Sequence, residues 1–238
     1  MPNAWDVASA RAVMRAGFPV IATTSAGVAA ALGYEDHENA PPDEMLAAAA
    51  RIASGVEVPV TVDAEAGYGM EPAVLVAALK GVGAAGCNLE DSDHAGGALR
   101  DPARHAEWLG GVREAAAEQG YGLVINARID VFLAAAAAGD AGRPQIELVD
   151  DALERATAYA EVGVDCAYPI ALWQADALAA FASQAPAAVN ALRIPPAPSL
   201  AELAELGVAR VSYGGLLHHE AMEQFTHSLQ SIERLPPD

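Results

Sequence analysis

The sequence predicts a single α/β domain of the (β/α)8, TIM-barrel type, spanning residues 1–238, and three observations point there. Its 238 residues match the usual size of one such barrel. Short runs rich in β-branched residues alternate with longer Ala- and Leu-rich stretches, the pattern of βαβ units around a parallel sheet. Polar residues recur where successive apolar runs end, as they do at the C-terminal rim of a barrel.

The elements follow in order. Residues 7–16 read as a helix capped by Asp6 and stopped at Gly17, and 20–24 as the next strand. A helix over 43–53 follows Pro41-Pro42, then a strand at 58–63 and a helix over 71–85. Strands at 86–90 and 123–128 flank a helix over 102–119. The stretch 134–142 reads as a helix end running into a flexible loop. A helix over 147–162, a strand at 165–168, a helix over 175–183 and a strand at 187–191 come next. A helix over 199–206, a strand at 209–213 and a helix over 216–232 complete the pattern. Seven strands are legible where a closed barrel needs eight. The shortfall is at the front: either residues 1–4 are the stub of a truncated first strand, or the chain opens further upstream.

Composition excludes several classes. Hydrophobic residues make up 53% and charged ones 19%, enough apolar material for one large core. The net charge of −19 repels nucleic-acid phosphates and anionic lipid, so neither partner is expected. No signal peptide is visible, and apolar runs fall short of the ~20 residues of a membrane span, so a cytoplasmic location is expected. The two cysteines, Cys87 and Cys166, sit in strand-like runs and read as small buried hydrophobes.

The chemistry is expected at the strand ends. They carry Thr24-Ser25-Ala26-Gly27, Asp63-Ala64-Glu65, Asn88-Leu89-Glu90-Asp91, Asn126-Ala127-Arg128-Ile129-Asp130, and Asn190. Carboxylates gathered at one point repel each other unless a cation or a proton intervenes. Oxygen ligands without thiolates suit Mg2+ or Mn2+, which would chelate a substrate and hold negative charge built up during reaction. Arg128 supplies a planar fork for a carboxylate or phosphonate, and Thr24, Ser25 and the N–H groups that follow form a second anion clamp.

At these residues the sequence resembles the isocitrate lyase/phosphoenolpyruvate mutase superfamily. The resemblance rests on Pro2-Asn3-Ala4-Trp5-Asp6, the stretch from Thr24-Ser25-Ala26-Gly27 to Gly33-Tyr34-Glu35-Asp36, Val62 to Gly69, Asn88-Leu89-Glu90-Asp91 and Ile125-Asn126-Ala127-Arg128. It implies a barrel whose last helix is exchanged between subunits of a homodimer or dimer-of-dimers homotetramer. It implies Mg2+ at Asp63, with Glu65, Glu90 and Asp36 in one cage, acting on a small 2-oxo acid through an enolate. It also implies that Thr24, Ser25 and Ala26 hold the substrate carboxylate, that Arg128 contacts its other end, and that Asn190 lines the pocket. The resulting assignment gives catalytic roles to Asp36, Arg128 and His94 and substrate contacts to Thr24, Ser25, Ala26, Asp63, Arg128 and Asn190. Metal ligation falls to Asp63, Glu65 and Glu90.

Two departures shape the expected reaction. The superfamily's lyases carry a Lys-Lys-Cys-Gly-His-like segment after the fourth strand, whereas residues 91–100 contain no Cys, leaving His94 as the substitute acid. Ile170 stands where methylisocitrate-cleaving members place a glutamate, which points to a smaller substrate. The leading expectation is C–C cleavage of an oxaloacetate- or acylpyruvate-like acid. C–P chemistry on a phosphonopyruvate-like substrate and non-catalytic binding of an oxo acid are the alternatives.

Overall fold

The computed structural model describes residues 1–232. Eight parallel strands stand in chain order: β1 (Asn3–Ala4), β2 (Ile21–Thr23), β3 (Val60–Asp63), β4 (Gly86–Glu90), β5 (Val124–Ile129), β6 (Cys166–Pro169), β7 (Ala188–Leu192) and β8 (Arg210–Ser212). The first strand exists but has only two residues, pairing Asn3 with Ala22 and Ala4 with Thr23. A side chain bridges the seam that so short a strand leaves. Asn3 Nδ2 donates to the Thr23 carbonyl at 3.0 Å, and Asn3 Oδ1 accepts from the Tyr213 N–H at 2.8 Å. The barrel is nearly closed.

The helices wrap this barrel. In order they are α1 (Val7–Arg15), α2 (Ser25–Leu32), α3 (Pro42–Ser54), α4 (Pro72–Val82), α5 (Pro102–Glu118), α6 (Val131–Ala135), α7 (Val149–Glu161), α8 (Ala175–Gln184), α9 (Leu200–Glu205) and α10 (Leu216–Gln230). Asp6 caps α1 reciprocally with Ser9, and Asp101 caps α5 through the Arg104 N–H. Between strands and helices lies a core that includes Leu75, Leu79, Leu109, Ile125 and Phe181, all fully buried. Each such side chain contributes about 1.5–3 kcal/mol of burial free energy.

Three local expectations change. The expected anion-binding turn after β2 is the first turn of a helix, α2, whose Ser-Ala-Gly-Val-Ala-Ala-Ala-Leu sequence has no apolar–polar alternation to reveal it. The stretch expected to fray after residue 134 instead continues α6 into a wide π turn over Ala136–Asp140. The Cys-free loop after β4 is a small antiparallel hairpin, pairing Ser92 with Leu99 and Asp93 with Ala98. One helix stands apart. No residue of α10 is buried, and Met222, Phe225 and Leu229 face solvent. Its first turn meets the barrel where His218 stands edge-on to Trp5 at 5.0 Å. Among the described residues no helix is long and apolar enough to cross a membrane.

Candidate active site

Sheet register gathers the polar residues at the C-terminal ends of the strands. Asn88 pairs with Asn126 and Glu90 with Arg128, so each apolar step outward repeats the same neighbours one layer up. In the lower layer Asn126 Nδ2 donates to Asn88 Oδ1 at 2.7 Å. Asn190 on β7 is fully buried, and neither its Oδ1 nor its Nδ2 has a partner.

Asp63 ends β3 beneath the N-terminus of α2. Its backbone N–H donates to Thr23 Oγ1 at 2.8 Å, and its Oδ2 accepts the Ser25 N–H at 3.0 Å. Thr24 is the residue before the helix, so the N–H groups of Ala26 and Gly27 have no partner within it. Burial pushes the Asp63 carboxyl up, as does the neighbouring Asp36 charge, while Arg128 and the Ser25 N–H pull it down.

Glu65 sits two residues on, at φ 48°, in the left-handed region that non-glycine residues rarely occupy. Its Oε1 accepts the Glu38 N–H at 2.6 Å, and Glu38 Oε1 in turn accepts the Tyr68 N–H at 2.6 Å. His37 and Glu38 are also left-handed, at φ 69° and 58°. The loop carrying Asp36 is thus drawn across the barrel mouth. Burial, reinforced by the charges of Asp63, Asp36 and Glu90, pushes Glu65 up to about 7. Gly67 follows at φ 87°, where an added Cβ would lie 2.5 Å from the Trp108 ring, so no larger residue fits that turn.

Glu90 is buried between two partners. Its Oε1 lies 2.5 Å from His94 Nε2, and its Oε2 is in ion-pair contact with the Arg128 guanidinium. Burial raises the Glu90 carboxyl, and the hydrogen bond to Glu90 raises the His94 imidazole. The hairpin thereby places His94 at the mouth, with the His37 ring 5.1 Å away. Donor atoms of His37, Glu90 and His94 all lie within 4.8 Å of one another, close enough to share a cation.

Arg128 differs from expectation. Its fork is not free for a substrate carboxylate, because Nε and Nη2 donate to Asp130 at 2.6 and 2.7 Å. Asp130 was visible in the sequence only as a strand end. Burial opposes its ionisation, but Arg128 holds its carboxyl below the usual range. Asp130 is itself fixed by Ser92 Oγ at 2.6 Å, and its N–H by Asp91 Oδ1 at 2.9 Å. Asp91, fully buried, also accepts from Arg155 at 2.9 Å and from the Tyr159 hydroxyl at 2.8 Å. Sequence reasoning missed this supporting chain because Arg155 and Tyr159 come from α7, more than 60 residues downstream of Asp91. His37 carried no sequence signal either.

The donor set fits a hard divalent cation. Asp36 Oδ1, Asp63 Oδ1 and Glu65 Oε2 are buried oxygens without hydrogen-bond partners. Three such carboxylates within one another's electrostatic reach call for positive charge between them. Glu90 differs in part: its Oε2 also has no hydrogen bond but is in ion-pair contact with Arg128, and His94 holds its Oε1. A cavity of about 580 Å³, lined in part by His37, His94, Arg128 and Asp130, adjoins the His37–Glu90–His94 group. A cavity of about 560 Å³ at the opposite end of the barrel has no carboxylate in its lining.

Comparison with known proteins agrees with this geometry. The sequence model of the phosphoenolpyruvate phosphomutase family matches residues 1–233. A crystal structure from Burkholderia cenocepacia J2315, provisionally described as a phosphonomutase, is similar at 38% identity. It aligns with a TM-score of 0.88 over 97% of this chain and 92% of that one. A Mycobacterium tuberculosis protein is 32% identical over 99% of this chain and 86% of its own length. The "Probable 2-methylisocitrate lyase 2" of Corynebacterium glutamicum is 33% identical over 73% of this chain and 55% of that one.

Proposed function

The chain belongs to the phosphoenolpyruvate phosphomutase family, a lyase and mutase family of the isocitrate lyase superfamily, and from that premise we propose a divalent-metal-dependent enzyme that cleaves a C–C bond of a small 2-oxo acid. One observation supports the metal requirement: Asp36, Asp63 and Glu65 each carry an unpartnered, buried carboxylate oxygen and lie within electrostatic reach of one another. These residues would hold Mg2+ or Mn2+, with Glu90 behind them. A bound cation supplies Lewis-acid neutralisation of the charge that develops on the oxo acid.

The chain's own groups do the rest. The free N–H groups of Ala26 and Gly27, beside Thr24 and Ser25, receive the substrate carboxylate at the positive end of α2. Arg128, clamped by Asp130, fixes the Glu90 carboxylate and sets positive charge beside the reacting carbons. His94 shares a proton with Glu90 and serves as the acid–base group where the loop has no cysteine. Asn190, whose buried amide is unpaired, would supply a polar contact from β7. The apolar face of α10, uncovered among the described residues, docks on a second copy to give a homodimer or tetramer.

The test is turnover of purified protein with Mg2+ or Mn2+ on 2-oxo acids, followed as pyruvate or oxalate release. Asp63→Ala should lower metal-dependent activity at least ~100-fold with an unchanged circular dichroism spectrum. An active Asp63→Ala enzyme would remove the metal reading. The likeness to the Burkholderia protein favours a second reading, C–P chemistry on phosphonopyruvate. Phosphorus NMR decides between them: a migrating or liberated phosphorus resonance supports the second, and an unchanged one supports the first.

A further inference from the structure

Resting on the oxo-acid reading above, we propose that the substrate is a monoanion with an uncharged, apolar group beyond the scissile bond. An acylpyruvate fits that description; a dianion such as oxaloacetate or phosphonopyruvate does not. The argument starts from the two ends such a substrate must satisfy. Its oxo-acid head belongs at the acidic cluster and the α2 N-terminus. Its far end must then enter the cavity that opens past Arg128 and His94.

Among the described residues, the one permanently charged cation in that cavity's lining is already engaged, and the His94 imidazole is held by Glu90. Arg128 donates its fork to Asp130 and is in contact with Glu90, so one positive charge already faces two negative ones. Asp93 adds a third carboxylate to the lining. A second anionic group on the substrate would lie among these carboxylates and pay repulsion and desolvation together. Part of the lining is apolar instead. It comprises Leu99 of the hairpin with Leu133, Ala134, Ala137 and Ala138 of α6 and the turn after it. Among the described residues Ala137 and Ala138 remain exposed, leaving room for an alkyl tail.

For an acylpyruvate the step balances with water as the co-reactant. The water hydroxyl bonds to the distal acyl carbon, and the bond between that carbon and pyruvate C3 breaks. Its electron pair passes to the pyruvate fragment as an enolate, whose C3 takes the remaining proton. The products are pyruvate and a carboxylic acid.

Two measurements test the proposal. With Mg2+ present, kcat/KM for acylpyruvates should rise with acyl length and exceed that for oxaloacetate or phosphonopyruvate at least about tenfold. Calorimetry should show 2-oxohexanoate binding at least about tenfold more tightly than the dianion 2-oxoglutarate. Ala137→Arg, at an exposed position, should shift both ratios toward the dianions. Equal or better use and binding of the dianions by the unaltered protein overturns the inference. The expected binding preference without turnover of any substrate would instead remove the C–C cleavage reading and leave the pocket assignment standing.

Discussion

At the scale of single residues, the site is governed by which carboxylates already have partners. Glu65 titrates near 7 because burial and three acidic neighbours disfavour its charge, against an ordinary value of 4.5. Between those two pH values the folded chain retains a proton that the unfolded chain has released. Stability therefore falls as pH rises through this window, by on the order of 1–3 kcal/mol, and the loss is complete above 7. Mg2+ competes with that proton, so it should raise Tm more at pH 8 than at pH 5.5. Glu65→Gln should flatten both the pH slope and the metal effect, measured by calorimetric melting. Arg128→Lys tests a different property. A lysine keeps the charge but cannot engage Glu90 and Asp130 together, so kcat should drop at least about tenfold in protein that circular dichroism shows to be folded. An unaltered kcat would mean that the clamp is structural only.

At the scale of elements, α5 and α7 hold the rim from outside the barrel. His105 of α5 is buried, stacked on Trp108 at 5.7 Å and edge-on to Tyr159 at 5.2 Å. Neither ring nitrogen has a partner, and burial, with Arg100 and Arg155 nearby, lowers its pKa to about 3. Below 6.5 the unfolded chain takes up a proton that the folded one refuses. The stability present above pH 6.5 is therefore lost as pH falls toward 3, by about 2 kcal/mol at pH 5. His105→Phe should abolish that acid-limb loss while retaining the stacked packing, as read from urea midpoints at pH 7 and pH 5. The sequence showed α5 plainly, through its Asp101-Pro102 start, but it gave no sign that His105 faces inward. Helix α2 shows the reverse. Its residues were singled out for anion binding while the helix that aims their N–H groups went unread, because an apolar helix against the barrel carries no amphipathic stripe.

At the scale of the whole molecule, the barrel leaves α10 with its apolar side uncovered among the described residues. If a second copy covers it, Phe225→Glu should convert the assembly to monomers in sedimentation velocity without disturbing the acidic cluster. A monomeric unaltered protein would refute the docking of α10.

The order of seven of the eight strands and the rim on which polar residues gather were legible in the sequence. Periodicity and strand ends are local properties, and a barrel turns every strand end toward one face. Tertiary structure alone decided how those residues are used. Only the register of β4 against β5, and the reach of α7 back to Asp91, show that Arg128 is already clamped by Asp130. Only the path of the loop at 36–39 brings His37 to His94 and Asp36 to the cluster. Contacts between residues tens of positions apart depend on where the folded backbone carries them, and no local pattern of residues encodes that distance.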